Sequence, residues 1–280
     1  METIKLSNGL TCPVIGIGTY MLAPAYAQNS VREALKMGYR LIDTANAYVN
    51  ERAVGRGMRE SSVPREEIFL STKLWPSEYE NPNAVDETLA RLGTDYVDLL
   101  YIHQPAGNWL AGYRQLEKAY REGKAKSIGI SNFEGKYIAE LQTKWEIVPQ
   151  FIQVEAHPYF AQDELRVTLD QYGIRLMSWY PLGHGDRSLI EEPVFRTLAD
   201  KYGKTPAQVI LRWHVQMGFV VIPGSKNVAH IRDNLDILDF SLTDAEMAEI
   251  ARLNKGRRYY TRTDEALAGF ALWQPAYEAE

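Results

Sequence analysis

Early in the chain four side chains stand at spacings that would serve acid–base chemistry on an oxygen. They are Asp43 and Tyr48 in "LIDTANAYVNE" 41–51, Lys73 in "STKLW" 71–75 and His103 in "VDLLYIHQP" 97–105. A free phenol has a pKa near ~10 and is a poor proton shuttle at neutral pH. A buried ammonium nearby favours the phenolate and lowers that value, and a carboxylate paired with the lysine keeps the lysine charged and oriented. Asp43–Lys73–Tyr48 therefore reads as a relay tuning one acid. A histidine in reach would hydrogen-bond a substrate oxygen as negative charge develops on it. This suits carbonyl reduction, and it suits enolisation or an aldol step equally well. Each residue alone has a plainer explanation. An Asp after a strand most often caps a helix or a turn, a Lys there is usually solvated, and a lone His beside Pro is more often structural. The joint pattern carries the argument.

That pattern depends on the elements that position it. Short apolar runs recur at 14–19, 40–43, 68–73, 97–103, 126–131, 151–155, 174–179 and 219–223. They are near-continuous, as in parallel strands covered on both faces. Between them lie amphipathic stretches such as "NSVREALKMG", "NAVDETLARLG", "GYRQLEKAYREG" and "TPAQVILRWHVQMG", several ending on a helix-capping glycine. The alternation predicts an α/β fold, a (β/α)8 TIM barrel, with a doubly wound open sheet as the alternative. The first ten residues predict a small hairpin turning at Asn8-Gly9. No linker, low-complexity tract or repeat interrupts the chain, so one domain over 1–280 is expected. In such a barrel the active site lies at the C-terminal strand ends. Read in order, these carry Asp43, Lys73, His103, Ser131 with Asn132, Gln153 and Trp179.

Composition narrows the function classes. The chain has 280 residues, 45% of them hydrophobic, and a net charge of −5 with Lys and Arg scattered. A nucleic-acid binder usually shows a basic stripe, and none is visible. Cys12 is the single cysteine, so neither an intramolecular disulfide nor a cysteine-rich metal site is expected. "METIKLSNGL" lacks the apolar core of a signal peptide, and no apolar run approaches the ~18 residues of a membrane span. A soluble cytoplasmic protein without a membrane or nucleic-acid partner is expected.

The sequence resembles the aldo-keto reductases over roughly residues 5–265. The resemblance rests on "GIGT" 16–19, "LIDTANAYVNE" 41–51, "STKLW" 71–75, "VDLLYIHQP" 97–105, "IGISNF" 128–133, "PLG" 181–183 and "IPGS…IRDNLDILDF" 222–240. It implies a barrel that binds NADP(H) or NAD(H) in extended form without a Rossmann domain, in keeping with the lack of a G-x-G-x-x-G turn after a strand. It implies a tetrad of Asp43, Tyr48, Lys73 and His103, with Tyr48 the proton donor and His103 polarising the carbonyl, while the cofactor carries the hydride. It places Ser131, Asn132 and Gln153 on the nicotinamide carboxamide and Trp179 against the nicotinamide ring. "PLGHGD" 181–186 becomes the loop over the pyrophosphate, with Leu182 and Asp186 as contacts. Ser225, Lys226, Asn227, His230 and Asn234 fall at the adenosine end, where Asn227 would cap a helix from Val228. Thr19, in the first motif, is a further cofactor contact. The tail from about Thr261 matches no motif.

Two departures from the family pattern stand out. Gln104 follows the histidine where Trp is common, which predicts a partly polar pocket wall. Gly224 and His230 stand where many members have Lys and Arg, which predicts NADPH use with appreciable NADH use. The substrate is a small carbonyl compound, and Tyr20, Trp75, Trp109 and Trp273 are expected pocket walls beside Tyr48 and His103, favouring an apolar or aromatic body. Two other readings are a non-catalytic nicotinamide-binding regulatory subunit and an aldolase or isomerase. The second needs a neutral, nucleophilic Lys73, which a neighbouring Asp43 opposes.

Overall fold

The computed structural model describes residues 1–278. An antiparallel hairpin, β1 (Thr3–Lys5) and β2 (Thr11–Pro13), precedes the main sheet, with its turn at Gly9. It extends three residues past the ten-residue hairpin expected, to Pro13. Eight strands follow: β3 (Ile17–Gly18), β4 (Leu41–Asp43), β5 (Phe69–Leu74), β6 (Leu99–Ile102), β7 (Ile128–Ser131), β8 (Phe151–Glu155), β9 (Arg175–Trp179) and β10 (Val220–Val221). All pair in parallel with their sequence neighbours. The residues before β3 close the ring. Ile15 bridges Val221, and the Gly16 N–H donates to the Val221 carbonyl at 2.9 Å. This closure and the consecutive strand order establish the (β/α)8 barrel over the open doubly wound sheet.

The pleat decides which residues meet inside. Leu41, Phe69, Leu99, Tyr101, Phe151, Met177 and Val220 pack together with Leu6 and Cys12 of the hairpin, which plugs the N-terminal end of the barrel. Their strand neighbours Ile42, Leu70, Leu100, Ile130, Ile152 and Val221 pack outward under the helices. Continuing the inward set by twos along each strand leads to Asp43, Lys73, His103, Gln153, Glu155 and Trp179. The barrel interior is thus apolar at one end and polar at the other.

The helices start where the sequence offers side-chain caps. Thr205 and Gln208 form a capping box for Pro206–Gln216, and Asn227 accepts from the Ala229 N–H at 2.9 Å to cap Val228–Leu235, as expected. The described part of the tail, from Thr261 to residue 278, packs on the barrel. Thr263 caps a helix over Asp264–Leu272, which crosses the C-terminal end of the barrel.

Candidate active site

Asp43 ends β4, and the chain then turns through a short 3-10 helix, Asn46–Tyr48, that aims the phenol back over the barrel mouth. The turn is tied down by buried polar groups. The Asn50 side chain donates to the Thr19 and Leu22 carbonyls at 3.0 and 2.9 Å. The Thr19 hydroxyl is itself buried, 3.2 Å from the Asp43 carbonyl and 2.9 Å from the Thr44 hydroxyl.

Lys73 is fully buried, and its ammonium donates to Asp43 Oδ2 at 2.6 Å and to the Thr44 carbonyl at 2.8 Å. The other Asp43 oxygen accepts from the Ser71 hydroxyl at 2.7 Å and from Gln153 Nε2 at 2.9 Å. The ammonium lies 4.9 Å from the centroid of the Tyr48 ring. His103 faces Tyr48 across the mouth, with ring centroids 5.6 Å apart and the planes near perpendicular at 75°. The four residues of the expected tetrad therefore converge.

The electrostatics differ from the expectation in one respect. Burial pushes the Tyr48 phenol well above its ordinary value of 10.0, and the Asp43 carboxylate pushes the same way. The relay argument required the reverse. Asp43 offsets the charge of the lysine at close range, so desolvation dominates. Burial lowers the Lys73 ammonium from its ordinary value, with Asp43 and Glu51 opposing the shift. Burial, and then Lys73, hold His103 well below 6.5, so its imidazole is neutral at physiological pH. Its Nδ1 is buried without a hydrogen-bond partner. A bare lone pair is cheaper to bury there than an unpaired N–H, so we assign the proton to Nε2.

On the opposite side of the mouth Ser131, Asn132 and Gln153 lie at adjacent strand ends, with Ser131 in register with Gln153. Asn132 adopts a left-handed backbone (φ 65°), and its Nδ2 donates to the His103 carbonyl at 3.2 Å. Its Oδ1 accepts from the indole of Trp179 at 3.1 Å. Trp179 is the last residue of β9 and is half-buried. A half-exposed indole beside buried amides fits a flat ring that carries a carboxamide. Leu182 is half-buried on the next loop. Asp186 caps the short helix Arg187–Ile190 by accepting from the Ser188 N–H at 2.8 Å. Ser225, Lys226, Asn227 and His230 lie at or near the start of Val228–Leu235 with Lys226, Asn227 and His230 exposed, while Asn234 is buried. Gly224 has no room for a side chain, since a Cβ there would lie 2.8 Å from the Gly18 carbonyl oxygen.

Three of the four aromatic residues expected as pocket walls gather near Tyr48 and His103. Tyr20 packs on Tyr48 at 5.2 Å, and Trp75 stands edge-on to His103 at 5.0 Å. Trp273 reaches Trp75 at 5.3 Å, and Phe270 from the same tail helix reaches it at 5.1 Å. Trp109 is a correction. It opens a helix, and its ring packs on Phe133 at 5.5 Å and under the Lys144 ammonium at 5.3 Å, in the helical layer. Gln104 is buried, and both of its backbone polar groups bond the Tyr79 hydroxyl. Sequence reasoning missed Phe270 and the basic aromatic stretch before it. The Arg262 guanidinium donates to the Asn132 carbonyl at 2.6 Å. The signal was available in Thr263-Asp264-Glu265, a cap followed by acids and then "ALAGFALW". Among the described residues no cluster of His, Cys, Asp and Glu could hold a metal ion, and no helix is long and apolar enough to cross a membrane.

The model of the Aldo/keto reductase family matches residues 14–255. The chain is 38% identical over 259 residues to methylglyoxal reductase DkgA of Escherichia coli, covering 91% of this chain and 94% of that protein. It is 40% identical over 272 residues to morphine 6-dehydrogenase of Pseudomonas putida, covering 91% and 92%. The crystal structure of an aldo/keto reductase from Brucella melitensis superposes with a TM-score of 0.86 at 41% identity, covering 90% of this chain and 99% of that one.

Proposed function

The chain belongs to the aldo/keto reductase family, and from that premise we propose that it reduces aldehydes and ketones to alcohols with a nicotinamide cofactor, Tyr48 giving the proton. The observation that carries this reading is the buried Lys73–Asp43 pair at 2.6 Å beneath a protonated Tyr48, with a neutral His103 facing it.

A nicotinamide held there would supply a hydride to the carbonyl carbon. The protein's part is to receive the charge that this leaves on oxygen. His103 Nε2–H donates a hydrogen bond to the carbonyl oxygen and polarises it. Tyr48 transfers its hydroxyl proton to that oxygen as charge builds there. Burial keeps the phenol protonated beforehand, and the ammonium of Lys73 steadies the phenolate left behind. Asp43 keeps Lys73 in place, and Gln153 and Ser71 keep Asp43 in place. Ser131, Asn132 and Gln153 would hold the carboxamide and Trp179 the ring. Leu182 and Asp186 would lie along the pyrophosphate, and Ser225, Lys226, Asn227, His230 and Asn234 along the adenosine end. Thr19 acts from behind, because its hydroxyl is spent on Asp43 and Thr44. Tyr20, Trp75, Phe270 and Trp273 enclose the substrate body, which favours apolar or aromatic carbonyl compounds.

Both NADPH and NADH are accepted in this reading. Gly224 supplies no cation, while Lys226, Ser225 and the capped helix remain for a 2′-phosphate. The test is NADPH consumption with a panel of aldehydes, α-dicarbonyls and keto-sugars, beside titration of protein fluorescence with NADPH. Quenching through Trp179 and turnover of at least one class are expected. Saturating NADPH without quenching or turnover would refute the reading.

A further inference from the structure

Asp186 belongs to the loop assigned above to the pyrophosphate, yet it is held from outside that loop. The Tyr259 hydroxyl donates to Asp186 Oδ2 at 2.7 Å, and the Arg257 guanidinium lies 3.5 Å from the same oxygen. The loop turns through Gly183, His184 and Gly185 with φ of 67°, 54° and 79°, a left-handed run with little intrinsic preference for one closed shape. The Tyr259 ring covers it so closely that a Cβ on Gly183 would come within 3.0 Å of the ring and its hydroxyl.

Tyr259 is fixed in turn from below. Its backbone N–H donates to Glu155 Oε1 at 2.5 Å, and the Tyr260 N–H reaches Glu155 Oε2 at 3.3 Å. His157 Nε2 lies 2.9 Å from Glu155 Oε1, and both side chains are fully buried. The His157 and Tyr259 ring centroids are 4.6 Å apart. A tyrosine held at backbone and ring delivers its hydroxyl to one acceptor, and a phenol–carboxylate bond is of the strong, charge-assisted kind. The matched family region ends at residue 255, so Arg257 and Tyr259 lie beyond it.

We propose that Tyr259 is a positioning residue for the cofactor: with Arg257 it clasps Asp186 and holds the Gly183–Asp186 loop closed, so that bound cofactor leaves only when this clasp opens. The inference rests on the cofactor reading of that loop. The same chain segment continues through Arg262, bonded to the Asn132 carbonyl, to Phe270 and Trp273 over Trp75. The clasp therefore joins the cofactor loop to the cover of the substrate pocket.

The test is stopped-flow displacement of NADPH from the full chain, followed by protein fluorescence, for wild type, Tyr259→Phe and Tyr277→Phe. Tyr277 donates to Glu78 at 3.0 Å at the far end of the same segment and reports general loosening. Tyr259→Phe should raise the dissociation rate about 10-fold or more, with the melting temperature of the free protein nearly unchanged. Tyr277→Phe should stay within about 2-fold of wild type. An unchanged rate in Tyr259→Phe, or an equal rise in both variants, overturns the proposal. Should Tyr259→Phe fail to fold, Arg257→Gln decides: a faster release supports the clasp and an unchanged one overturns it. Wild type showing no fluorescence response to NADPH would instead overturn the cofactor reading itself, and the clasp with it.

Discussion

A phenol 4.9 Å from an ammonium would ordinarily be acidified by it. At Tyr48 the nearest carboxylate cancels that pull, and burial keeps the proton on well above the ordinary 10.0. The acid is thus a neutral donor throughout the physiological range. His103 is neutral for a related reason, since burial and Lys73 hold it well below 6.5. The sign of the pH dependence follows. The proposed reduction needs Tyr48 protonated, and its raised value removes the alkaline limb up to at least about pH 9. His103 acts neutral, and its lowered value removes an acid limb near 6.5. The ratio kcat/KM for reduction, measured from pH 6 to pH 9, should be nearly flat; a limb near pH 6.5 or pH 8 would contradict the assignment of His103 or Tyr48 respectively. Lys73 has an electrostatic role in this account. Borohydride added during turnover should trap no adduct, because an ammonium paired with Asp43 at 2.6 Å is not nucleophilic. A Schiff base mapped to Lys73 would revive the aldolase reading.

The strand elements were legible in the sequence to within a few residues because the apolar runs and the glycine stops report two-sided burial directly. The near-continuous apolar runs concealed which side chains point inward, and the structure supplies that alternation: Leu41 then Asp43, Tyr101 then His103, Phe151 then Gln153. Also concealed were contacts between elements distant along the chain. Trp109 looked like a pocket wall by type, but it opens a helix that sends its ring to Phe133. The tail helix lacked a family motif, and its contact with Trp75 depends on where the chain crosses the barrel. In the proposed reading, the cofactor preference belongs to the element starting at Val228. Gly224 is kept small by the Gly18 carbonyl, so the missing cation is built into the packing. With one aldehyde, kcat/KM for NADPH should exceed that for NADH only modestly. An NADPH preference above ~1000-fold would contradict this reading, since a lost hydrogen bond to a charged group is worth ~1.5–3 kcal/mol.

At the scale of the whole molecule, the hairpin plugs one end of the barrel and the tail crosses the other. We read the chain as one domain, with the tail as part of the substrate site. Trp273 meets Trp75 edge-on at 5.3 Å, and such aromatic pairs contribute about 0.5–1.5 kcal/mol. Trp273→Ala should therefore raise KM for an aromatic aldehyde by roughly 2- to 10-fold while NADPH quenching is retained; an unchanged KM would remove the tail from the pocket. The central claim is that a buried phenol over a lysine–aspartate pair protonates the reduced carbonyl. The most direct measurement is turnover by Tyr48→Phe, which removes only the hydroxyl, alongside a fluorescence titration of the same variant with NADPH. The account predicts turnover at least ~100-fold below wild type with NADPH binding little changed. A variant that binds NADPH normally and keeps most of its carbonyl reduction would contradict it.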